Sequence, residues 1–254
     1  MSETPVSRNI AAEFVGTVLV VLGGPGLLVL GDESIGTLGV AIGFGASMAI
    51  AIGVIGAVAN PMFTVALLFS RGITTSEAVT DWIGQFLGAI FGAALIFGMN
   101  DTDRFGLGTS GWEPTSDVGL QLTGFSTLGI VIAAELVIGT LVVVVLLSSI
   151  SQQRSNAVMA GFTGLAYGLG TLFLLGISGA GINPARSLGM AVFADTDPNA
   201  LGQVWLFVLV PLVASFAGTL VWLAIDDATI DDTIFDDTIL EDAVDEVTEL
   251  LDRD

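Results

Sequence analysis

The 254-residue chain contains no cysteine, no histidine and no lysine. Without cysteine it can form neither disulfides nor thiolate metal sites. Without histidine it lacks the commonest metal ligand and a general base that titrates near neutral pH. These absences argue against a metalloenzyme or a triad hydrolase. We therefore expect no metal site and none of the catalytic residues of these two enzyme classes.

Charge is also scarce, except at the C-terminal end. Charged residues make up 13% of the chain, which is too few for an ordinary soluble protein. The net charge is −20, and 13 of the 26 acidic residues lie in 226–254. Such acidity repels nucleic acid, so no nucleic-acid partner is expected. At molar salt the Debye length is only about 3 Å, so closely spaced acidic groups repel each other little. The pattern therefore favours adaptation to high salt, as in a halophilic microbe, over a tail that binds cations or a partner.

Long apolar runs fill the rest of the chain. Each is close to the roughly 20 residues that a membrane-spanning helix needs, which predicts a multi-pass helical membrane protein. The six predicted spans are about 10–30, 35–56, 78–99, 125–149, 157–177 and 203–225. On this topology Arg8, Arg71, Arg154 and Arg253 lie on one side and Arg104 on the other. The positive-inside rule then places both termini in the cytoplasm.

The sequence repeats itself. "IAAEFVGTVLVV" (10–21) opens the first span, and "IAAELVIGTLVVV" (132–144) opens the fourth. An Asn-Pro pair follows Glu13 by 47 residues and Glu135 by 48. The repeats cover about 8–115 and 125–225. Because each contains three spans, the second must be inverted in the membrane relative to the first, an arrangement that builds a path along the interface between repeats.

The two Asn-Pro pairs resemble helix starts, since Asn caps well and Pro fits the first helical position. The segments that follow, about 61–70 and 184–193, would each be about 15 Å long, half of the hydrocarbon core. Entering from opposite faces, they would meet N-terminus to N-terminus at the midplane. The Gly/Ala-rich stretches before them, 53–59 and 178–182, suit non-helical backbone, which membranes tolerate where it is buried or lines a wet cavity.

Together, the paired Asn-Pro segments, the A-E-[FL] openings and the N-P-A-R-S stretch resemble the aquaporin (major intrinsic protein) family over residues 8–225. The resemblance implies an all-α membrane fold of six transmembrane helices and two re-entrant half-helices in an inverted repeat. It also implies a homotetramer in the plasma membrane with one pore per subunit. Residues 1–225 would form the channel domain, and 226–254 an acidic cytoplasmic tail.

The family pattern assigns roles to individual residues. The pore motifs would be Asn60, Pro61 and Met62 in the first half and Asn183, Pro184 and Ala185 in the second. The selectivity constriction would contain Arg186, Thr171 and Ala180. The contribution of the second span stays open between Phe44 and Ala41: Phe44 would give a filter close to that of water channels, and Ala41 a wider opening. Met62 replaces the alanine of the first motif, and either narrows the pore or fills a gap.

The expected function is passive passage of water, with small neutral solutes such as glycerol as further candidates and with exclusion of protons and ions. A passive channel of this kind is not an enzyme and needs no catalytic residue and no cofactor. The alternatives are a glycerol facilitator, an ion-coupled secondary transporter and a junction protein without flux. Intramembrane carboxylates often mark coupling sites. The symmetric positions of Glu13 and Glu135 favour instead a role in holding the re-entrant loops. Within the tail, 236–251 would form an amphipathic helix or stay disordered at low salt.

Overall fold

The computed structural model describes residues 6–100, 107–112, 127–196 and 199–226. The predictions for Arg104, Arg253 and residues 227–254 lie outside the described residues. Six helices in the described part are long and apolar enough to cross a membrane, in agreement with the predicted number of spans. Two shorter helices begin at the Asn-Pro pairs, where re-entrant segments were expected.

The helices follow each other in two matching sets of four. In the first set the half-helix is third, and in the second set it is again third. The bounds are α1 Val6–Leu30, α2 Gly36–Ile55, α3 Pro61–Phe69 and α4 Thr75–Met99, then α5 Thr127–Ser151, α6 Asn156–Ser178, α7 Pro184–Phe193 and α8 Ala200–Ile225. The half-helices of nine and ten residues are each too short to cross a bilayer.

Small residues allow the spans to pack closely. α1 packs against α4, α5 against α8, and α2 against α6, the last pair joining the two halves. A Cβ added to Gly88 would lie 2.4 Å from the carbonyl oxygen of Phe14, and one added to Gly45 would lie 2.6 Å from that of Gly164. Any side chain at these glycines would separate the helices, which is the usual role of small residues at membrane helix contacts.

Both re-entrant segments start with the same backbone device. Gly56 and Gly179 follow α2 and α6 with φ of 80° and 75°, a left-handed conformation that glycine adopts without strain. Each lies four residues before its asparagine. The chain then runs non-helically towards Asn60 or Asn183, and both asparagines have extended backbones.

The first span departs from a regular α-helix. Residues Leu22–Gly26 form a π-helical turn that contains Pro25, since proline cannot supply the N–H that the α-helix needs. The bulge brings Gly24 against Phe44 of α2. A Cβ on Gly24 would lie 2.2 Å from the Phe44 ring, so the glycine provides the recess in which that ring sits.

Candidate functional site

The two asparagines meet where the half-helices begin. The side-chain oxygen of Asn60 accepts the backbone N–H of Met62 at 2.9 Å, and that of Asn183 accepts the N–H of Arg186 at 3.2 Å. Each side-chain amide also reaches across to the other loop. Asn60 donates to the carbonyl of Ile182 at 3.1 Å, and Asn183 donates to the carbonyl of Ala59 at 2.8 Å.

These reciprocal bonds place the two helix N-termini next to each other inside the protein. An N-terminus carries about half a positive charge, so the arrangement concentrates positive potential at one point. Each asparagine uses one amide hydrogen in the cross-bond, and the NH₂ group has a second. That hydrogen is available to an uncharged hydrogen-bond acceptor.

The two intramembrane carboxylates bind the re-entrant loops. Glu13 accepts the backbone N–H groups of Val58 and Ala59 at 2.7 and 2.9 Å, and the side-chain amide of Gln85 at 2.9 Å. Glu135 accepts the N–H of Gly181 at 2.7 Å and the hydroxyl of Ser178. Both are buried. Buried carboxylates need such donors, and the donors here belong mainly to the loops that were expected to need support.

Arg186 is completely buried, so it does not take part in a surface ion pair. Its guanidinium donates to the carbonyl of Gly108 at 2.7 Å and to the hydroxyl of Ser110. It also lies 5.5 Å from the centre of the Phe44 ring, within the range of a cation–π interaction. The hydrogen-bond and ring partners of this charge in the described residues are therefore neutral groups, and they fix its position, while the charge of Glu135 acts on it without a direct ion pair.

The residues predicted for the constriction differ in how close they lie to Arg186 and in what surrounds them. Phe44 is the second-span candidate that the structure brings to Arg186, whereas the Ala41 carbonyl faces Gly168 where α2 and α6 meet. Thr171 is fully buried, and its hydroxyl has no hydrogen-bond partner among the described residues. Ala180 is buried with φ of 59°, and so shapes the extended segment before Asn183.

The side chain of Met62 points towards α5. A Cβ on Gly139 would lie 3.2 Å from the Met62 sulfur, and the Met62 carbonyl accepts the hydroxyl of Ser215 on α8 at 2.7 Å. Of the two alternatives for this residue, the packing favours the one in which the flexible thioether fills a gap between helices.

Sequence reasoning missed several residues that support the site. Residues 107–112 fold back towards α7 and supply both Arg186 acceptors, while Gln85 bridges Glu13 and the hydroxyl of Thr64 at 2.9 Å. Tyr167 lies between the rings of Phe44 and Phe63, with centroids 6.1 and 6.0 Å away. Long-range loop contacts leave no local pattern, but Tyr167 did carry a signal, since it is the only tyrosine in the chain and stands inside an apolar span.

Comparison with known proteins agrees with this geometry. The sequence profile of the family described as "MIP: Major intrinsic protein" matches residues 1–222. The chain belongs to the major intrinsic protein family. It is a multi-pass membrane protein, and the family match covers both Asn-Pro half-helices.

Relatives within the major intrinsic protein family include proteins with different names. The chain is 33% identical over 231 residues to "Aquaporin Z" of Brucella melitensis, covering 85% of this chain and 96% of the relative. It is 30% identical over 213 residues to "Glycerol uptake facilitator protein-like 6" of Lactiplantibacillus plantarum, covering 82% and 93%. Its fold resembles the X-ray structure of the aquaglyceroporin from Plasmodium falciparum, with a TM-score of 0.66, 19% identity, and coverage of 90% and 98%.

Proposed function

We propose that the protein is a passive channel for water that also admits small neutral solutes to a limited extent and excludes ions and protons. The observation that carries this proposal is the pair of reciprocal bonds between Asn60 and Ile182 and between Asn183 and Ala59. They hold two amide donors side by side at the junction of the half-helices. A water that binds both through its oxygen must point its hydrogens outwards along the pore, which interrupts proton transfer along a chain of waters.

Charge exclusion follows from the same junction. For a cation about 5 Å from both helix N-termini, at an effective dielectric near 20, the repulsion is about 3 kcal/mol. The buried charge of Arg186 adds to it, since its described partners are uncharged. A neutral molecule meets neither barrier, and the channel needs no enzymatic step.

The residues at the constriction favour water as the main substrate. We assign the second-span position to Phe44, because its ring faces Arg186, and place Thr171 and Ala180 in the same constriction. Thr171 is smaller than the histidine of typical water channels, so this position alone would admit more than water. Because one relative is named an aquaporin and the other a glycerol uptake facilitator-like protein, both water and glycerol permeability are to be measured.

An ion-coupled transporter is the main alternative, because it can share inverted repeats and half-helices. The hydrogen bonds of Glu13 and Glu135 support a structural role instead, since both oxygens of Glu13 and one oxygen of Glu135 already accept loop N–H groups. A transporter would show saturable, gradient-driven uptake that Glu13→Gln or Glu135→Gln abolishes.

Stopped-flow light scattering on proteoliposomes tests the function directly. We expect osmotic shrinkage faster than in empty vesicles, with a low activation energy, and slower responses to glycerol and urea gradients. Shrinkage no faster than in empty vesicles would contradict the channel. Imposed sodium or proton gradients should not change the rate, and a dependence on either would favour the transporter.

The assembly and location proposed for the chain rest on the family. We propose a homotetramer in the plasma membrane with both termini in the cytoplasm, consistent with the arginines expected on one side. Cross-linking in native membranes would test the tetramer. Protease or reporter accessibility at each terminus would test the orientation.

A further inference from the structure

One face of α6 carries three hydroxyl groups in a row. Thr163, Tyr167 and Thr171 are spaced by four residues, so they lie on the same side of the helix, about 6 Å apart along its axis. All three are fully buried. The hydroxyl oxygen of each has no hydrogen-bond partner within the described part of the chain.

The surroundings of α6 show that this face points to the interior of the channel domain. Gly164 and Gly168 contact the α2 backbone, and Gly170 faces Ile138 of α5. Leu165, Leu169 and Phe173, on the opposite side, are more than half exposed. The hydroxyl face therefore lies between the α2 and α5 contacts, on the side of the two half-helices.

The corresponding face of α2 has no hydroxyls. Counting back 12, 16 and 20 residues from Asn183 gives Thr171, Tyr167 and Thr163. The same counts from Asn60 give Met48, Phe44 and Val40. Tyr167 is thus the equivalent of Phe44, and their rings meet with centroids 6.1 Å apart.

The contacts of these two aromatic residues are also equivalent. Arg186, three residues after Asn183, lies over Phe44, and Phe63, three residues after Asn60, packs edge-on against Tyr167. The phenol of Tyr167 also lies near the guanidinium of Arg186 and the side-chain amide of Asn183, although its hydroxyl forms no hydrogen bond of normal geometry with either. It is therefore close both to the constriction and to one of the paired asparagines.

The two rings differ in the space behind them. Phe44 sits in the recess left by Gly24, 11 residues after Glu13. The position 11 residues after Glu135 is Leu146, and the next residue is Leu147; both are buried in the same cluster as Tyr167. No glycine recess is available at the equivalent place, so the phenol stays in the centre. Asn60, Asn183, Arg186 and Tyr167 all have 0% exposure, so all four side chains lie in the interior of the protein.

We propose that Tyr167 is a specificity-determining residue of the channel: its ring forms the narrowest point and limits the passage of solutes larger than water, and its hydroxyl exchanges hydrogen bonds with permeating water. Tyr167 thereby supplies the bulk that is absent at Thr171 and adds a second hydroxyl beside it. The hydroxyls of Thr163 and Thr171 continue the polar wall on either side. The inference rests on the proposed function, since it concerns the substrate range of the same pore.

The test compares two variants that separate size from polarity. Tyr167→Thr continues the hydroxyl row but removes the ring, and we expect a severalfold rise in glycerol permeability with water permeability equal or higher. Tyr167→Phe keeps the ring, and we expect glycerol permeability to stay as low as in the wild type while water permeability falls severalfold. Both are measured by stopped-flow on proteoliposomes, after size-exclusion chromatography has shown unchanged elution. Phe173→Ala, an exposed aromatic on the same helix, should match the wild type in both assays.

The outcomes distinguish this inference from the proposed function. If the wild type conducts water but Tyr167→Thr does not raise glycerol permeability, Tyr167 is not the size filter. A larger rise in glycerol permeability from Thr171→Ala than from Tyr167→Thr would also overturn it, by placing the filter at 171. If neither the wild type nor Tyr167→Thr exceeds empty vesicles, the channel function itself is wrong.

Discussion

The two halves of the chain use one scaffold but stabilise it differently. In the first half, Glu13 accepts two loop N–H groups and the amide of Gln85. In the second, Glu135 accepts one loop N–H and one hydroxyl, and its second oxygen has no partner among the described residues. Both loops start at a left-handed glycine, and both asparagines cap their half-helices, Asn60 through the N–H two residues on and Asn183 through the N–H three residues on. The elements that set backbone geometry are thus repeated, whereas the side chains around them have diverged.

The divergence is largest where a permeating molecule would pass. Three residues after its asparagine, the first half has Phe63 and the second half has Arg186. The facing spans differ as well. The face of α2 is apolar, with Val40, Phe44 and Met48, whereas the face of α6 carries hydroxyls, on Thr163, Tyr167 and Thr171. A symmetric frame therefore encloses an asymmetric lining, apolar on one wall and polar with a single charge on the other. This teaches that the symmetry serves the fold, and that selectivity depends on where it is broken.

Removing the loop supports should produce the largest effect and should separate the halves. Each buried N–H left without an acceptor costs about 1–3 kcal/mol, so Glu13→Leu, which affects three donors, should destabilise more than Glu135→Leu, which affects two. The apparent melting temperature in detergent, followed by tryptophan fluorescence, measures this. Glu13→Gln and Glu135→Gln, which keep one acceptor, should be intermediate. A larger loss from Glu135→Leu would reverse the comparison.

Met62 tests whether the two Asn-Pro motifs are interchangeable. Met62→Ala gives the first motif the alanine found at position 185. Since Met62 fills the space beside Gly139, we expect a loss of stability of about 2–5 kcal/mol from the cavity with unchanged selectivity between water and glycerol. Thermal stability and stopped-flow permeability are measured on the same preparations. A gain in glycerol permeability would instead show that Met62 narrows the pore.

Arg186 tests the asymmetry of charge. At about 8 Å and an effective dielectric near 20, its repulsion of a monovalent cation is about 2 kcal/mol, or roughly thirtyfold in rate. Arg186→Val should therefore raise cation leakage by about that factor, as measured by sodium flux into proteoliposomes. Phe63→Val is the matched control in the first half and should not raise it. Unchanged selectivity in Arg186→Val would show that this arginine is not at the constriction.

The recess behind Phe44 provides the smallest expected effect. Gly24→Ala would place a methyl group into the Phe44 ring and push it towards the pore, at a cost of about 1–2 kcal/mol. Water permeability should fall while the protein still folds. Gly98→Ala is the control, because a Cβ there meets nothing within 4 Å. Equal permeability of the two variants would mean that α1 accommodates the methyl group without moving the ring.

Much of the fold was predictable because membranes restrict what a chain can do. The six spans follow from apolar length, and the two half-helices from Asn-Pro pairs with too few residues to cross. The loop-binding positions of Glu13 and Glu135 could be anticipated from the internal repeat. The choice between Phe44 and Ala41 could not be predicted. It depends on which face of α2 meets Arg186, and counting residues back from Asn60 does not fix that face. The same is true of Ser110 and Gly108, which reach Arg186 through a fold of the chain that leaves no periodic signal.

The sequence by itself determined the class of protein, the number of spans and the inverted repeat. The length of each apolar run and the odd number of spans in each repeat can be read directly along the chain. The tertiary structure alone decided which side chains face one another across the centre. Phe44 meets Arg186, and Tyr167 meets Phe63, because glycine contacts bring α2 and α6 together and the reciprocal asparagine bonds align the half-helices. Such pairings depend on distances between segments far apart in sequence, which composition and spacing do not specify.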